Sequence, residues 1–312
     1  MYNKEICILM ATHNGERYID KQIESILKSN IKTNILISDD NSDDLTVDKI
    51  NKYRNDRINL ISNTKKGSSS ENFIFLIKNI PDHYFDKYKY FAFSDQDDYF
   101  TENHYMNSID LLEANNADLC GASVISIDDE TNKENYINYA LKEKKYSHFF
   151  EGLSPGFTFV FTSKLIKLLK NRLETIEIPV VFWHDWLLYA FAKENGFKTV
   201  VKKNNDIYYR QHLGNVTGSR NSIKGIFYRL KNVMNSFYPN QIVLISVAVM
   251  RLSNKNNPIL KLLKNDLSKL EIIKLVLNSR RRLFDRFACI IAVCNIFLNR
   301  KSYNQQYKEF IC

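Results

Sequence analysis

The stretch FAFSDQDDYF, residues 91–100, runs an apolar, strand-like segment straight into Asp95, Asp97 and Asp98. Carboxylates this close repel one another and are tolerated at neutral pH only when solvated, protonated or gathered around a cation. A solvated turn is one reading, since Asp readily forms turns. A cation site is the other, and the segments upstream bear on the choice.

ICILMA (6–11) is apolar without alternation, as a strand covered on both faces should be. ERYIDKQIESILK then sets Ile19, Ile23, Ile26 and Leu27 on one helical stripe. NILIS (34–38), INLIS (58–62) and KYFAFS (89–94) read as further strands. LTVDKINKY, SENFIFLIKNI and HYMNSIDLLEAN read as helices between or after them, and ADLCGASVISI returns to strand. Strands alternating with helices through short connections predict an open, mostly parallel sheet flanked by helices, the Rossmann-like α/β class. Such sheets bind ligands outside the carboxyl ends of their strands. THNGE, DDNSDD and DQDD follow three of the strands. Three polar tips on one rim favour a binding site over three unrelated turns.

The chain has 312 residues, 44% hydrophobic and 25% charged, enough for one large domain or two smaller ones. A formal net charge of +9 suits an anionic partner: a nucleotide, a nucleic acid or an acidic membrane surface. The five cysteines show no CxxC and no zinc-like spacing, and the start MYNKEICILM carries no signal-peptide segment, so a cytoplasmic protein is expected. Residues 128–148 are polar and irregular, a surface loop. From about 222 onward the chain reads as basic, apolar helices. Within it RRRLFDRFACIIAVCNIFLNRK is too short to span a bilayer; it suits either a membrane interface or a buried helix with basic ends.

A DxD at a strand end is a hard-oxygen site, for which Mg²⁺ or Mn²⁺ shared with substrate phosphates is the expected ion. Asp97 is the first choice of ligand, and Asp95 is either a second ligand or a sugar hydroxyl acceptor. No GxxxxGK[ST] cradle occurs, which argues against a P-loop NTPase. Carboxylates of DDNSDD can accept from a base N–H or a ribose hydroxyl, or simply cap the next helix. WHDWLLY places Asp185 at a helix start between Trp183, His184 and Trp186, a general base with aromatic walls for a sugar ring, or a capping Asp beside buried tryptophans. YYRQHLGNVTG ends a strand in Arg210, suited to neutralising phosphate, and His212, a third metal ligand or a phosphate donor.

In this order ATHNGERYIDKQIESIL, ISDDNSDD, SDQDDYF, HDWLLY and YRQHLGNVTG resemble the family 2 glycosyltransferases of the GT-A fold, particularly the bacterial rhamnosyltransferase-like branch of surface-polysaccharide assembly. The resemblance implies a GT-A catalytic domain over residues 1–220 and a helical C-terminal region over 221–312. It implies that Thr12, Asn14, Glu16, Asp39 or Asp40, Asn72, Gln96 and Arg210 sit by a nucleotide-diphospho-sugar, that Asp95 and Asp97 hold the cation and diphosphate, and that His212 is a late metal or phosphate contact. Asp185 matches the general base of an inverting transfer, with Trp183, His184 and Trp186 toward the acceptor. The acceptor implied is a lipid-linked glycan at the cytoplasmic membrane surface, with no nucleic acid partner. His13 stands where the family usually has Tyr, and Tyr99-Phe100 where the branch often has Ile-Trp; both concern pocket walls and so donor choice. A metal-dependent phosphohydrolase and a basic nucleic-acid-binding protein are the alternative readings.

Overall fold

The computed structural model describes residues 4–61, 67–128, 131, 133–203, 206–211, 235–282 and 285–311. The chain forms two compact units: Met1–Ala140, Leu153–Thr175 and Gly196–His212 make the first; Leu141–Gly152, Ile176–Asn195 and Leu213–Cys312 the second. The expected boundary at 220/221 lies outside the described residues. Segments 141–152 and 176–195, which the sequence reading gave to the first domain, pack with the C-terminal helices instead.

The first unit is a mixed α/β fold. Its strands are β1 (Glu5–Thr12), β2 (Lys32–Asp39), β3 (Ile58–Ile61), β4 (Tyr90–Ser94), β5 (Tyr99–Phe100), β6 (Leu119–Ala122), β7 (Val124–Asp128), β8 (Glu134–Ile137), β9 (Val160–Thr162), β10 (Thr199–Lys202) and β11 (Ile207–Gln211). Seven of them form one sheet in the order β10-β6-β9-β4-β1-β2-β3, parallel except at β9. A second sheet runs β5-β11-β7-β8. The run 119–128 is therefore two strands, not one. At the buried Ser123 the peptide N–H goes to Lys202 O and the hydroxyl accepts from Tyr139 N, so the chain leaves the first sheet there and Val124 begins the second.

Both faces of the large sheet are covered, which is why its strands are apolar without alternation. Ile6, Ile8 and Met10 of β1 share a core with Ile19, Ile23 and Ile26 of α1 (Ile19–Leu27), Ile50 of α2 (Thr46–Tyr53) and Ile109 and Leu112 of α5 (His104–Asn115). On the opposite side α3 (Ser69–Lys78), with the short α4 (His83–Lys87) after it, and the aliphatic α6 (Ser163–Thr175) cover an aromatic layer. There Phe93 meets Phe73 at 5.0 Å and Phe161 at 4.8 Å, both edge-on.

The second unit is helical: α7 (His184–Glu194), α8 (Phe237–Ser253), α9 (Pro258–Leu263), α10 (Lys269–Leu277), α11 (Asp285–Leu298), α12 (Arg300–Gln306) and α13 (Lys308–Ile311). α7 packs along α8, whose Ile242, Val243, Ile245, Val247 and Val249 are all buried. Gly196 with φ +78° ends α7 as its position in the sequence predicts. Glu151 is buried between Arg281, whose N–H and Nε both reach Oε1, and Arg280 at 3.3 Å. Burial pushes the Glu151 carboxyl up, but the charges of Arg280 and Arg281 overcome this and hold it below its usual value.

Truncating Phe93 to Ala should leave a cavity at the centre of the aromatic layer. A loss of about 3–5 kcal/mol in urea unfolding is expected; a loss below about 1 kcal/mol would mean the layer collapses around the gap.

Candidate active site

The polar tips after β1, β2 and β4 do lie together, and they are stitched to one another through the backbone. Register pairs Thr12 with Asp39 at the ends of β1 and β2, and the Thr12 hydroxyl donates to Asp39 Oδ1 at 2.7 Å. Asp39, 7% exposed, also accepts from the Ser42 hydroxyl on Oδ1 and from Ser42 N–H on Oδ2. Asp40 donates its N–H to Thr12 O and accepts from Gly67 N–H on Oδ2. Asn72, buried on α3, donates to Ser38 O at 2.9 Å and Thr12 O at 3.3 Å. The side chains expected beside a nucleotide thus shape this rim partly by holding its main chain.

Asn14 and Glu16 do the same. Asn14, in the left-handed region at φ 47°, accepts from Asp43 N–H and donates its own N–H to Ser42. Glu16 Oε2 accepts from Leu45 N–H at the start of α2, while Glu16 N–H donates to Asp44. Gln96 closes the third side: its Oε1 accepts from His13 N–H and its Nε2 donates to His13 O, both at 2.9 Å. A Cβ on Gly15 would stand 2.3 Å from Gln96 Oε1, so glycine there is what lets the amide in.

The acidic cluster differs in emphasis from the sequence reading. Asp95 and Asp97 are partly exposed, and the buried member is Asp98, 4% exposed, with no hydrogen-bond partner on either carboxylate oxygen. Burial first, then the charges of Asp97 and Asp95, push its carboxyl well above the usual range, opposed by the positive charge of Arg210. Sequence singled out Asp97 for its central place; the only hint of Asp98 was the length of the acidic run. Among the described residues no three His, Cys, Asp or Glu are grouped closely enough to hold an ion by themselves. An orphaned buried carboxylate beside two others nonetheless fits a hard divalent cation whose remaining ligands come from phosphate and water. Arg210 lies over the Tyr18 ring at 5.6 Å, a partner no sequence signal announced. His212 falls outside the described residues.

In the second unit Asp185 lies in the first turn of α7 and its Oδ1 accepts from Trp186 N–H at 2.7 Å. Trp186 is buried: its Nε1 donates to His148 O at 2.7 Å and its ring stacks with Tyr238. That ring is core, and the aromatic surface left to a ligand is Trp183 with Phe182, which is 42% exposed and was not singled out in the sequence. The His184 ring is packed in protein although the residue keeps part of its surface in water. Burial pushes it down to about 3, so it is neutral here and not a cationic contact for an acceptor at neutral pH.

A family model described as glycosyl transferase family 2 matches residues 7–191. The chain is 31% identical over 300 residues, 92% of its own length and 100% of the relative's, to the dTDP-rhamnosyl transferase RfbG of Shigella flexneri. Over 245 residues, 74% of this chain and 86% of the relative, it is 28% identical to the UDP-Glc:alpha-D-GlcNAc-diphosphoundecaprenol beta-1,3-glucosyltransferase WfaP of Escherichia coli. Among solved structures, S. aureus TarS 1–349 in complex with UDP-GlcNAc matches with a TM-score of 0.53 at 17% identity, covering 97% of this chain and 92% of that one. The mannosyltransferase PcManGT from Pyrobaculum calidifontis, in complex with GDP-Man and Mn²⁺, matches at 0.51 and 11% identity, covering 99% and 76%. At these identities the two structures speak for the fold alone.

His184 makes stability depend on pH. Its folded-state pKa, about 3, lies below the ordinary 6.5, so between these values the unfolded chain binds more protons and stability falls as pH drops. His184→Gln should flatten the fall in urea-unfolding free energy from about pH 7 to pH 5. An unchanged slope would show that the ring takes its proton in the fold.

Proposed function

The chain belongs to glycosyl transferase family 2 and is a glycosyltransferase, and from that premise we propose an inverting, cation-dependent transfer of a sugar from a nucleotide-diphospho-sugar to a hydroxyl of a lipid-linked glycan in bacterial surface-polysaccharide synthesis. The observation that carries this reading is the rim just described. Three loops after parallel strands are locked together by Thr12–Asp39 and Gln96–His13, and beside them the buried Asp98 is crowded by Asp97 and Asp95 and opposed by Arg210. The 31% identity to a dTDP-rhamnosyl transferase favours dTDP-rhamnose as donor. The diphosphoundecaprenol in the other relative's name supports a lipid-linked acceptor.

In this proposal Asp39 and Asp40 face the base and ribose. Their carboxylates are already oriented by Thr12, Ser42 and Gly67, so little ordering remains to be done when the donor binds. Asp95, Asp97 and Asp98 would hold Mg²⁺ or Mn²⁺, which when bound supplies charge stabilisation to a departing nucleotide diphosphate. Arg210 adds a fixed positive charge on the same side. Asp185 takes the proton of the acceptor hydroxyl as that oxygen attacks the anomeric carbon opposite the leaving group. One displacement needs one base, and Trp186 N–H fixes the carboxylate's orientation. Trp183 and Phe182 offer aromatic faces to the acceptor's sugar rings. The place of work that follows is the cytoplasmic side of the membrane, where such acceptors and nucleotide sugars meet.

A panel of dTDP-rhamnose, UDP-glucose, UDP-galactose, UDP-N-acetylglucosamine and GDP-mannose tests this by thermal stabilisation, with Mn²⁺, Mg²⁺ or chelator. A shift of several degrees for one donor, lost in chelator, is expected; none for any donor would overturn the reading. Asp185→Asn should keep that shift and lose at least a hundredfold in transfer rate, and a near-normal rate would remove Asp185 from the role. Asp98→Asn should lose the cation-dependent part of the shift while unfolding at a higher temperature than the unsubstituted chain in chelator, because one of three crowded charges is gone. A full cation response from Asp98→Asn would exclude it from the cation site.

A further inference from the structure

Outside the candidate site, exposed apolar side chains gather in one place. On α10 Leu270, Ile273 and Leu277 are 60%, 55% and 54% exposed. At helical spacing they share a sector of about 60°, opposite the buried Leu275. On α11 Phe287, Ile290, Ile291 and Leu298 are exposed, with the exposed free thiol of Cys294 among them, in a sector of about 100°. Cys289, Ala292, Val293 and Ile296 fill the other side of that helix. The two helices are in contact with each other, so each keeps one apolar face for its own unit and turns a second one out. Soluble surfaces seldom leave this many large aliphatic and aromatic side chains together without a use.

The charges say what covers it. Lys269 and Lys274 are exposed and flank the α10 stripe, each about 40° beyond an edge. Residues 261–312 carry eleven Lys or Arg against four Asp or Glu; Arg280 and Arg281 are spent on the buried Glu151, and the other nine still exceed the acids by five. A second copy of so basic a surface would meet its own charge, whereas a bilayer bearing anionic headgroups offers both the apolar boundary and the opposite charge. At 14 residues α11 is about 21 Å long, short of a ~30 Å hydrocarbon core. No helix among the described residues is long and apolar enough to cross a membrane. The geometry is that of helices lying in the interface.

We propose that the outward faces of α10 and α11 dock the protein on an anionic phospholipid bilayer, with Leu270, Ile273, Leu277, Phe287, Ile291 and Leu298 entering the headgroup boundary. The inference rests on the proposed function for its purpose, since a lipid-linked acceptor lies in such a surface, but not for its test.

The test is sedimentation of the full chain with phosphatidylcholine vesicles with and without about one-third phosphatidylglycerol. Binding at least tenfold stronger to the anionic vesicles, and weakened by salt, is expected; no binding, or binding indifferent to headgroup charge, overturns the proposal. Phe287→Glu/Ile291→Glu should lose at least tenfold in vesicle binding with an unchanged thermal midpoint and unchanged stabilisation by the donor. Vesicle binding equal to the unsubstituted chain would overturn it. So would a dimer in solution that this variant makes monomeric while neither form binds vesicles, because the face would then belong to a second copy. An environment-sensitive fluorophore on Cys294, in a Cys312→Ser background that leaves the apolar faces intact, gives a reading independent of how the double variant folds. A blue shift on adding anionic vesicles supports insertion and its absence refutes it. Donor stabilisation without vesicle binding sinks only this inference, and vesicle binding without donor stabilisation sinks only the transfer reading.

Discussion

Everything at the carboxyl end of the large sheet depends on one amide. Gln96 grips the peptide of His13 from both sides, N–H to Oε1 and Nε2–H to O, as one strand grips another. Without it the loops after β1 and β4 would leave polar backbone groups to water and lose their mutual position. Gly15 permits the approach because any side chain there would overlap the amide. From the other flank Asn14 and Glu16 bond the loop after β2, so the β1 loop is held from two sides and becomes the fixed reference for both acidic segments. A binding rim made of loops can in this way be as well defined as one made of strands.

The same stitching explains why acidic residues that look alike in sequence differ in chemistry. Asp39 and Asp40 spend their oxygens on hydroxyl and peptide donors within the rim, which suits a carboxylate that orients a ligand. Asp98 accepts from no hydroxyl of the rim and carries the electrostatic cost of burial beside two further carboxylates, offset in part by Arg210. Removing one buried polar group's partners is expensive, so a site that keeps this arrangement needs the charge for something.

Much of the fold was legible because burial on both faces writes itself into sequence. ICILMA, NILIS and KYFAFS lie within or around β1, β2 and β4, and HYMNSIDLLEAN is α5 from end to end. The break at Ser123 was not legible, since a small residue inside an apolar run carries no sign of a change of sheet. Nor was the allegiance of α7: periodicity marks an apolar face but not the helix that will meet it, and α8 lies some forty residues further along. At the site, the types of residue could be read and their employment could not. Asn72 and Gln96 were marked as ligand contacts, and the structure shows what their amides do with the backbone, a role with no spacing rule. Trp186 looked like a platform, but the bond from its indole N–H to His148 O belongs to a buried ring.

The distribution of charge constrains what can happen at the rim. The chain is basic overall, but most of its excess lies in residues 261–312, while the segments after β2 and β4 carry Asp39, Asp40, Asp43, Asp44, Asp95, Asp97 and Asp98. A diphosphate approaching Asp95, Asp97 and Asp98 meets like charge, which Arg210 opposes. A divalent ion would offset that crowding, which is the physical argument for the cation in the proposed transfer.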